Sequence, residues 1–184
     1  MRRDIVWQRL DRPGLEHIVL DVRPDFVRAE SFVLLQLDEG LAQLRYTLAC
    51  DGAWRTERID LALTIGATER KLDLSRDAQG NWSANGVPRP DLAGCFEIDL
   101  EATPLTNTLA LKRLGLEPSV PKTMRAAYIT VPALQVRVDE QEYTKLSETK
   151  FRYRGISTNF EAEVTNDADQ LVVDYPPGWK RRSA

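Results

Sequence analysis

Side chains alternate between apolar and polar with period two through most of this chain, and the alternation stops only at short polar turns. Ala42, Leu44, Tyr46, Leu48 and Cys50 fall on one face of a strand, with Gln43, Arg45 and Thr47 on the other. After Asp51-Gly52, a two-residue hairpin signal, Ile59, Leu61, Leu63 and Ile65 repeat the pattern. The change of parity between Trp54 and Ile59 predicts a bulge, which bends a sheet. Earlier in the chain, Ile5–Leu10 and Leu15–Val22 predict two strands joined by Asp11-Arg12-Pro13-Gly14. Ser31–Leu37 is apolar enough to predict a strand covered on both faces. Glu69–Leu74 and the segment around Trp82 predict a short hairpin, followed by a tight turn at Asn85-Gly86. In Arg125–Val138 the apolar parity flips at Pro132, which predicts a kink or edge position there. Glu142–Leu146 and Lys150–Tyr153 predict further short strands. Phe160–Val164 and Leu171–Tyr175 predict a last hairpin, ended by Pro176-Pro177-Gly178 and followed by a short basic tail, Trp179–Ala184.

One stretch departs from this rhythm. In Gly94–Leu116 a strand with Phe96, Ile98 and Leu100 on one face gives way, at Thr103-Pro104, to a helical pattern. Thr103 suits the N-cap and Pro104 the first helical position, where a missing N–H costs nothing. Gly115 supplies the stop, and Lys112 and Arg113 sit in the last turn, where the helix dipole favours positive charge. Leu105 and Leu109 share one side of this helix of about three turns, while Leu111 and Leu114 lie well round from them. A short helix apolar most of the way round is a surrounded helix. Gly115–Lys122, with Pro118 and Pro121, reads as an irregular linker. The expected fold is mainly β: a curled antiparallel sheet wrapped around one helix at about residues 103–114.

Composition adds limits. The 184 residues, 42% hydrophobic and 29% charged, contain no repeat and no composition shift, which predicts a single domain over residues 1–184. A net charge of −3 leaves no field to hold a polyanion, so nucleic acid is not an expected partner. Cys50 and Cys95 each lie in a strand-like run and read as buried free thiols, with a disulfide as the alternative. MRRDIVWQRL has no apolar core of signal-peptide length, and no run reaches membrane-spanning length, so the expected location is the cytoplasm.

The search for catalytic chemistry yields little. A single histidine, His17, lies in a strand and reads as structural, and no phosphate loop, dinucleotide fingerprint, nucleophile elbow or zinc spacing occurs. No cofactor and no metal are expected. Glu97, Asp99 and Glu101 alternate onto one sheet face, where crowding would raise their pKa values for acid–base work. The favoured reading is a solvated face paired with Arg152 and Arg154 across strands. Aromatic residues recur beside arginines: Trp7 with Arg9, Tyr46 with Arg45, Trp54 with Arg55, and Tyr153 with Arg152 and Arg154. Sugar and lipid sites use such pairs, and so do ordinary half-buried strands. Lys180-Arg181-Arg182 beside Trp179 offers a transient contact with an anionic membrane surface, or is solvated.

Trp7-x-Arg9-x-Asp11-x-x-Gly14-x-Glu16, then Gly94-Cys95, Ile98-Asp99-Leu100, Thr103-Pro104 and Thr106-Asn107-Thr108-Leu109, and finally Asp174-Tyr175-Pro176, resemble the putative glycolipid-binding family, also catalogued as a domain of unknown function. The likeness runs in order from Trp7 to Arg182, and TPLTNTLALKRL is its most specific part. Glu97 stands where the family more often has aspartate, and Ala110-Leu111-Lys112 where Pro-Ile-Arg is common. The resemblance implies a spiral β-roll wound round one helix, similar to carriers that shuttle lipoproteins and lipids between bacterial membranes. The function it implies is non-enzymatic binding or carriage of a hydrophobic or amphiphilic ligand, such as a glycolipid, held between sheet and helix. Tyr46, Trp54, Asn107, Arg113 and Tyr153 are the candidate ligand-binding residues. For Thr106, Asn107 and Thr108 the alternative is a hydrogen-bonded tie of helix to sheet, since buried polar groups need partners. Two other functions compete: a carboxylate-dependent enzyme acting on a sugar or lipid through Asp99 with Glu97 or Glu101, and a protein-interaction module using a sheet edge.

Overall fold

From Arg2 to Pro88 each alternating segment pairs with its neighbour in sequence. In a computed structural model, which describes residues 1–183, this run is a meander of eight strands: β1 (Arg2–Arg9), β2 (Gly14–Val22), β3 (Phe26–Leu37), β4 (Gly40–Asp51), β5 (Thr56–Ile65), β6 (Thr68–Arg76), β7 (Trp82–Ala84) and β8 (Val87–Pro88). The strands that follow are β9 (Glu97–Leu100), β10 (Pro121–Ile129), β11 (Val136–Lys145), β12 (Lys150–Gly155), β13 (Phe160–Asn166), β14 (Val172–Tyr175) and β15 (Trp179–Ser183). Helix α1 (Leu105–Leu114) lies between β9 and β10. All fifteen strands form one sheet in the order β8-β7-β6-β5-β4-β3-β2-β1-β15-β14-β13-β12-β11-β10-β9.

The expected basic tail is the strand that unites this sheet. β15 pairs with β14 on one side and β1 on the other, with Trp7 opposite Arg181 and Arg9 opposite Trp179. Trp179 is buried, Arg181 donates to Asp167 at 2.7 Å, and Arg182 Nε donates to Gln8 Oε1 at 2.7 Å. The tail is therefore not a free basic extension; Ala184 lies outside the described residues. One further pairing departs from an antiparallel sheet. β9 and β10 run parallel, with Ala126 opposite Glu97 and Ile129 opposite Leu100, because a helix intervenes and returns the chain in the same direction.

Bulging and twist curl the two halves of the sheet towards each other without closing a barrel. The predicted bulge is present where β4 meets β5: Cys50 pairs with Thr56 but Ala49 with Arg58. That end of β5 reaches the free edge of β9, where Thr56 N donates to Phe96 O (2.9 Å) and Ile98 N to Thr56 Oγ1 (3.2 Å). An edge that would otherwise expose unpaired backbone is thereby partly covered. The inner face carries the core, from Ile5 and Trp7 through Leu35, Leu44 and Ile59 to Leu74. Helix α1 is enclosed by it: every residue from Leu105 to Leu111 is buried.

Other differences have local causes. Asp51-Gly52 opens a longer loop rather than closing a two-residue hairpin, because Asp51 Oδ1 accepts from Ala53 N and Arg55 N, both at 2.9 Å, and Trp54 takes a φ of 64°. β3 is not covered on both faces; Phe32 and Leu34 are half-buried on the outside, with the Arg45 guanidinium 4.5 Å above the Phe32 ring. The parity flip at Pro132 is the turn between β10 and β11, and β11 then runs unbroken to Lys145, absorbing the separate strand expected at Glu142. Pro121 and Lys122, expected in the linker, already belong to β10. Both cysteines are buried and free.

Candidate functional site

The start of α1 is fixed by a carboxylate that has no cationic partner among the described residues. Glu16 lies at an inward position of β2 with none of its surface exposed. Three hydroxyls donate to it: Ser31 (2.7 Å) and Tyr46 (2.6 Å) to Oε1, and Thr103 (2.7 Å) to Oε2. Thr103 Oγ1 in turn accepts from Leu105 N at 3.1 Å, so the expected cap residue does hydrogen-bond the first helical N–H, although the N-cap position itself falls one residue later, at Pro104. Burial pushes the Glu16 carboxyl up to about 7, against the three hydrogen bonds that favour its ionised form. This cluster ties β2, β3 and β4 to the helix. At the other end Gly115 takes the left-handed conformation (φ 54°, ψ 56°), and Lys122 Nζ donates to the carbonyls of Leu114 (3.2 Å) and Gly115 (2.8 Å).

Beside that first helical turn lies a cavity of about 350 Å³, within the lower range of small-molecule sites. Its floor is a polar network. Asp99 of β9 accepts from Thr106 Oγ1 (2.8 Å) and Gln141 Nε2 (2.6 Å), and the same Gln141 amide reaches Asp139 at 3.3 Å. Ser157 Oγ donates to Asp139 (2.6 Å), and Tyr143 OH donates to Asn107 Oδ1 (3.1 Å). Burial raises the Asp99 carboxyl above its ordinary range; the bonds from Thr106 and Gln141 oppose this, and Asp139 and Glu101 reinforce it. The wall is aromatic. Tyr153 stands 5.3 Å from Tyr143, 6.1 Å from Phe160 and 6.2 Å from Tyr175, ring centre to ring centre. Burial, and then the Asp99 charge, push the Tyr153 and Tyr175 phenols up, so both stay protonated at neutral pH. A larger and more open hollow, about 520 Å³, lies over β3–β6 among Glu30, Arg45, Asp60 and Lys71 and gathers no comparable set of rings.

Of the candidate ligand-binding residues, Asn107 and Tyr153 meet at the cavity. Tyr46 is spent on Glu16 inside the sheet. Trp54 and Arg113 lie at the far end of the helix, where Lys112 Nζ sits 5.5 Å over the Trp54 ring and the Arg113 guanidinium 4.9 Å over Phe96. Arg113 also forks onto Glu97, whose side chain is almost wholly covered. Glu97, Asp99 and Glu101 are therefore not one solvated face: only Glu101, just beyond the end of β9, is exposed. Glu97 pairs with Arg113, Asp99 enters the cavity, and Glu101 accepts from Val131 N at 2.7 Å. Arg152, proposed as their partner, instead stands 3.9 Å from Glu161 on the outer surface. Sequence reading missed Tyr128, Tyr175, Asp139 and Gln141, which share the cavity or its floor. Asp139, Gln141 and Tyr143 alternate onto the inward side of β11, and that parity was the available signal.

Among the described residues no helix is long and apolar enough to cross a membrane, and no group of three or more His, Cys, Asp or Glu side chains is placed to hold a metal ion. No curated protein matches the chain. A crystal structure of a DUF1089 family protein from Pseudomonas aeruginosa is similar to it, with 32% identity and a TM-score of 0.82 over 91% of this chain and 92% of that one. The family described as Putative glycolipid-binding matches residues 4–181, nearly the whole curled sheet with its enclosed helix, and the chain belongs to that family.

Proposed function

We propose that this protein is a non-enzymatic binding or carrier protein for an amphiphile, and that the amphiphile's glycosyl end enters the cavity between the first turn of α1 and the sheet. The observation that carries the reading is the convergence, in one cavity, of aromatic rings packed edge to face or tilted against one another with hydrogen-bonding side chains that fix orientation. Family membership supports a glycolipid as the ligand class. The helix flanks offer no room for an acyl chain, because Leu105, Leu109, Ala110 and Leu111 already fill them. An apolar rim is available outside. Leu10 in the β1–β2 turn and Phe160 at the start of β13 are each at least 40% exposed and lie at or next in sequence to cavity-lining positions. A chain leaving the cavity across them would gain roughly 0.8 kcal/mol per buried methylene.

Native mass spectrometry of gently purified protein, followed by solvent extraction, tests the reading. The expected result is a stoichiometric amphiphile that is displaced, or fails to load, in Tyr153→Ala. A clean apo mass that stays unchanged after incubation with mixed bacterial lipids would refute it.

A further inference from the structure

The charges around the cavity do not balance, and the imbalance has a direction. Four carboxylates line it, those of Asp11, Asp99, Glu101 and Asp139, against two guanidinium groups, those of Arg9 and Arg137. Both arginines are occupied. Arg9 donates to Asp11 from Nε (2.7 Å) and Nη2 (3.2 Å) and lies over the Trp179 ring. Arg137 lies 4.7 Å over the Tyr128 ring and reaches Asp139 at 3.4 Å. Asp99 and Glu101 have no cationic partner among the described residues.

The aromatic wall has the same sign of preference. Phe160 and Tyr175 stand 6.5 Å apart, each within contact of Tyr153, so three rings form a corner whose π faces attract a cation and repel an anion. The hydroxyl of Tyr153, a residue only 7% exposed, has no hydrogen-bond partner among the described residues, and neither do those of Tyr128 and Tyr175. These hydroxyls open onto the cavity, so whatever occupies it, water or ligand, supplies their hydrogen bonds. Phenols can donate to and accept from sugar hydroxyls, and free carboxylates accept from an ammonium. A phosphate, sulfate or uronic acid would instead meet two carboxylates without cationic partners and, among the described residues, no unpaired cation.

We infer that the headgroup taken by this cavity carries a protonated amine next to hydroxyls, as in an amino sugar, and is neither acidic nor phosphorylated. The inference rests on the cavity being the headgroup site and adds the charge of its ligand. Asp99 and Glu101 would receive the ammonium, with the Tyr153–Phe160–Tyr175 corner against its outer side.

Titration of the full chain with the methyl glycosides of glucosamine, glucose and glucuronic acid, at one ionic strength and neutral pH, tests this by calorimetry. Glucosaminide should bind about tenfold more tightly than glucoside, and glucuronide most weakly. Glu101→Gln should narrow the gap between the first two by weakening glucosaminide binding; Glu101 is exposed and, among the described residues, its carboxylate accepts a hydrogen bond only from the Val131 amide, so folding is spared. Octyl glycosides below their micellar concentration distinguish the source: affinity that rises with the chain marks a lipid headgroup, and affinity indifferent to it marks a free amino sugar. Equal binding of the three methyl glycosides, or a preference for glucuronide, would overturn the charge inference and leave the sugar site standing. If no glycoside binds in either form, the headgroup site falls and the inference with it.

Discussion

Glu16 supplies a pH dependence that can be worked out in advance. Its carboxyl rises from 4.5 to about 7 on folding, mainly through burial. At about 1.4 kcal/mol per pH unit, the folded state penalises the ionised form by about 3 kcal/mol. The sign follows from proton counts. Between pH 4.5 and 7 the folded protein holds a proton that the unfolded chain has released, so stability falls as pH rises through that window. Below pH 4.5 both states are protonated and the penalty vanishes; above 7 it is complete. Glu16→Gln keeps the shape and stays neutral, so it should lack this slope. Because Asp99 is also raised, the useful quantity is the difference between the two proteins, in which the Asp99 contribution cancels. Urea unfolding at pH 4.5, 6 and 8 should show Glu16→Gln gaining on the wild type by about 3 kcal/mol across the range, roughly 6–12 °C in Tm for a chain of this size. A difference between the two proteins that is constant from pH 4.5 to 8 would refute the assignment of that slope to Glu16.

Three further outcomes are expected. Arg113→Met should cost about 3–5 kcal/mol, since Glu97 is left buried without its ion-pair partner, and Glu97→Gln in the same chain should restore most of it; a double variant no more stable than Arg113→Met would argue against the pair, by chemical denaturation. Gly52→Ala should destabilise by about 1–3 kcal/mol, because a Cβ there would lie 2.3 Å from the Pro24 carbonyl oxygen; an unchanged unfolding midpoint would show that the loop yields. Burial pushes the Cys50 thiol up to about 12 and the Cys95 thiol up to about 11, so at pH 8 both should resist a thiol reagent in the native protein and react fully in denaturant. Rapid native labelling of Cys50 would contradict its placement.

Much of the chain was legible because period-two alternation is a local property. The β4 face from Ala42 to Cys50, the bulge before Ile59, the enclosed helix and its Thr103 and Gly115 ends all follow from residues close in sequence. The errors fall where a distant partner decides. Lys180-Arg181-Arg182 looks like a solvated tail until β1, from the opposite end of the chain, supplies hydrogen bonds for its backbone. Glu97, Asp99 and Glu101 share a face and a charge, yet Arg113, then Thr106 with Gln141, and then the Val131 amide give them three different surroundings.

Local sequence was enough to place most of the strands and the helix, and to require that the helix be surrounded, because propensity, parity and capping act over a few residues. Glu16 on an apolar face and the inward row Asp139, Gln141 and Tyr143 were already written there as polar residues in core register. Tertiary structure alone decided that β15 would join the chain's two ends, that β9 would run parallel to β10, and that Asp99 would meet Tyr153 and Tyr175 in one cavity. Those outcomes depend on how far a twisted and bulged sheet curls before its edges meet, a sum over the whole chain that no local window contains.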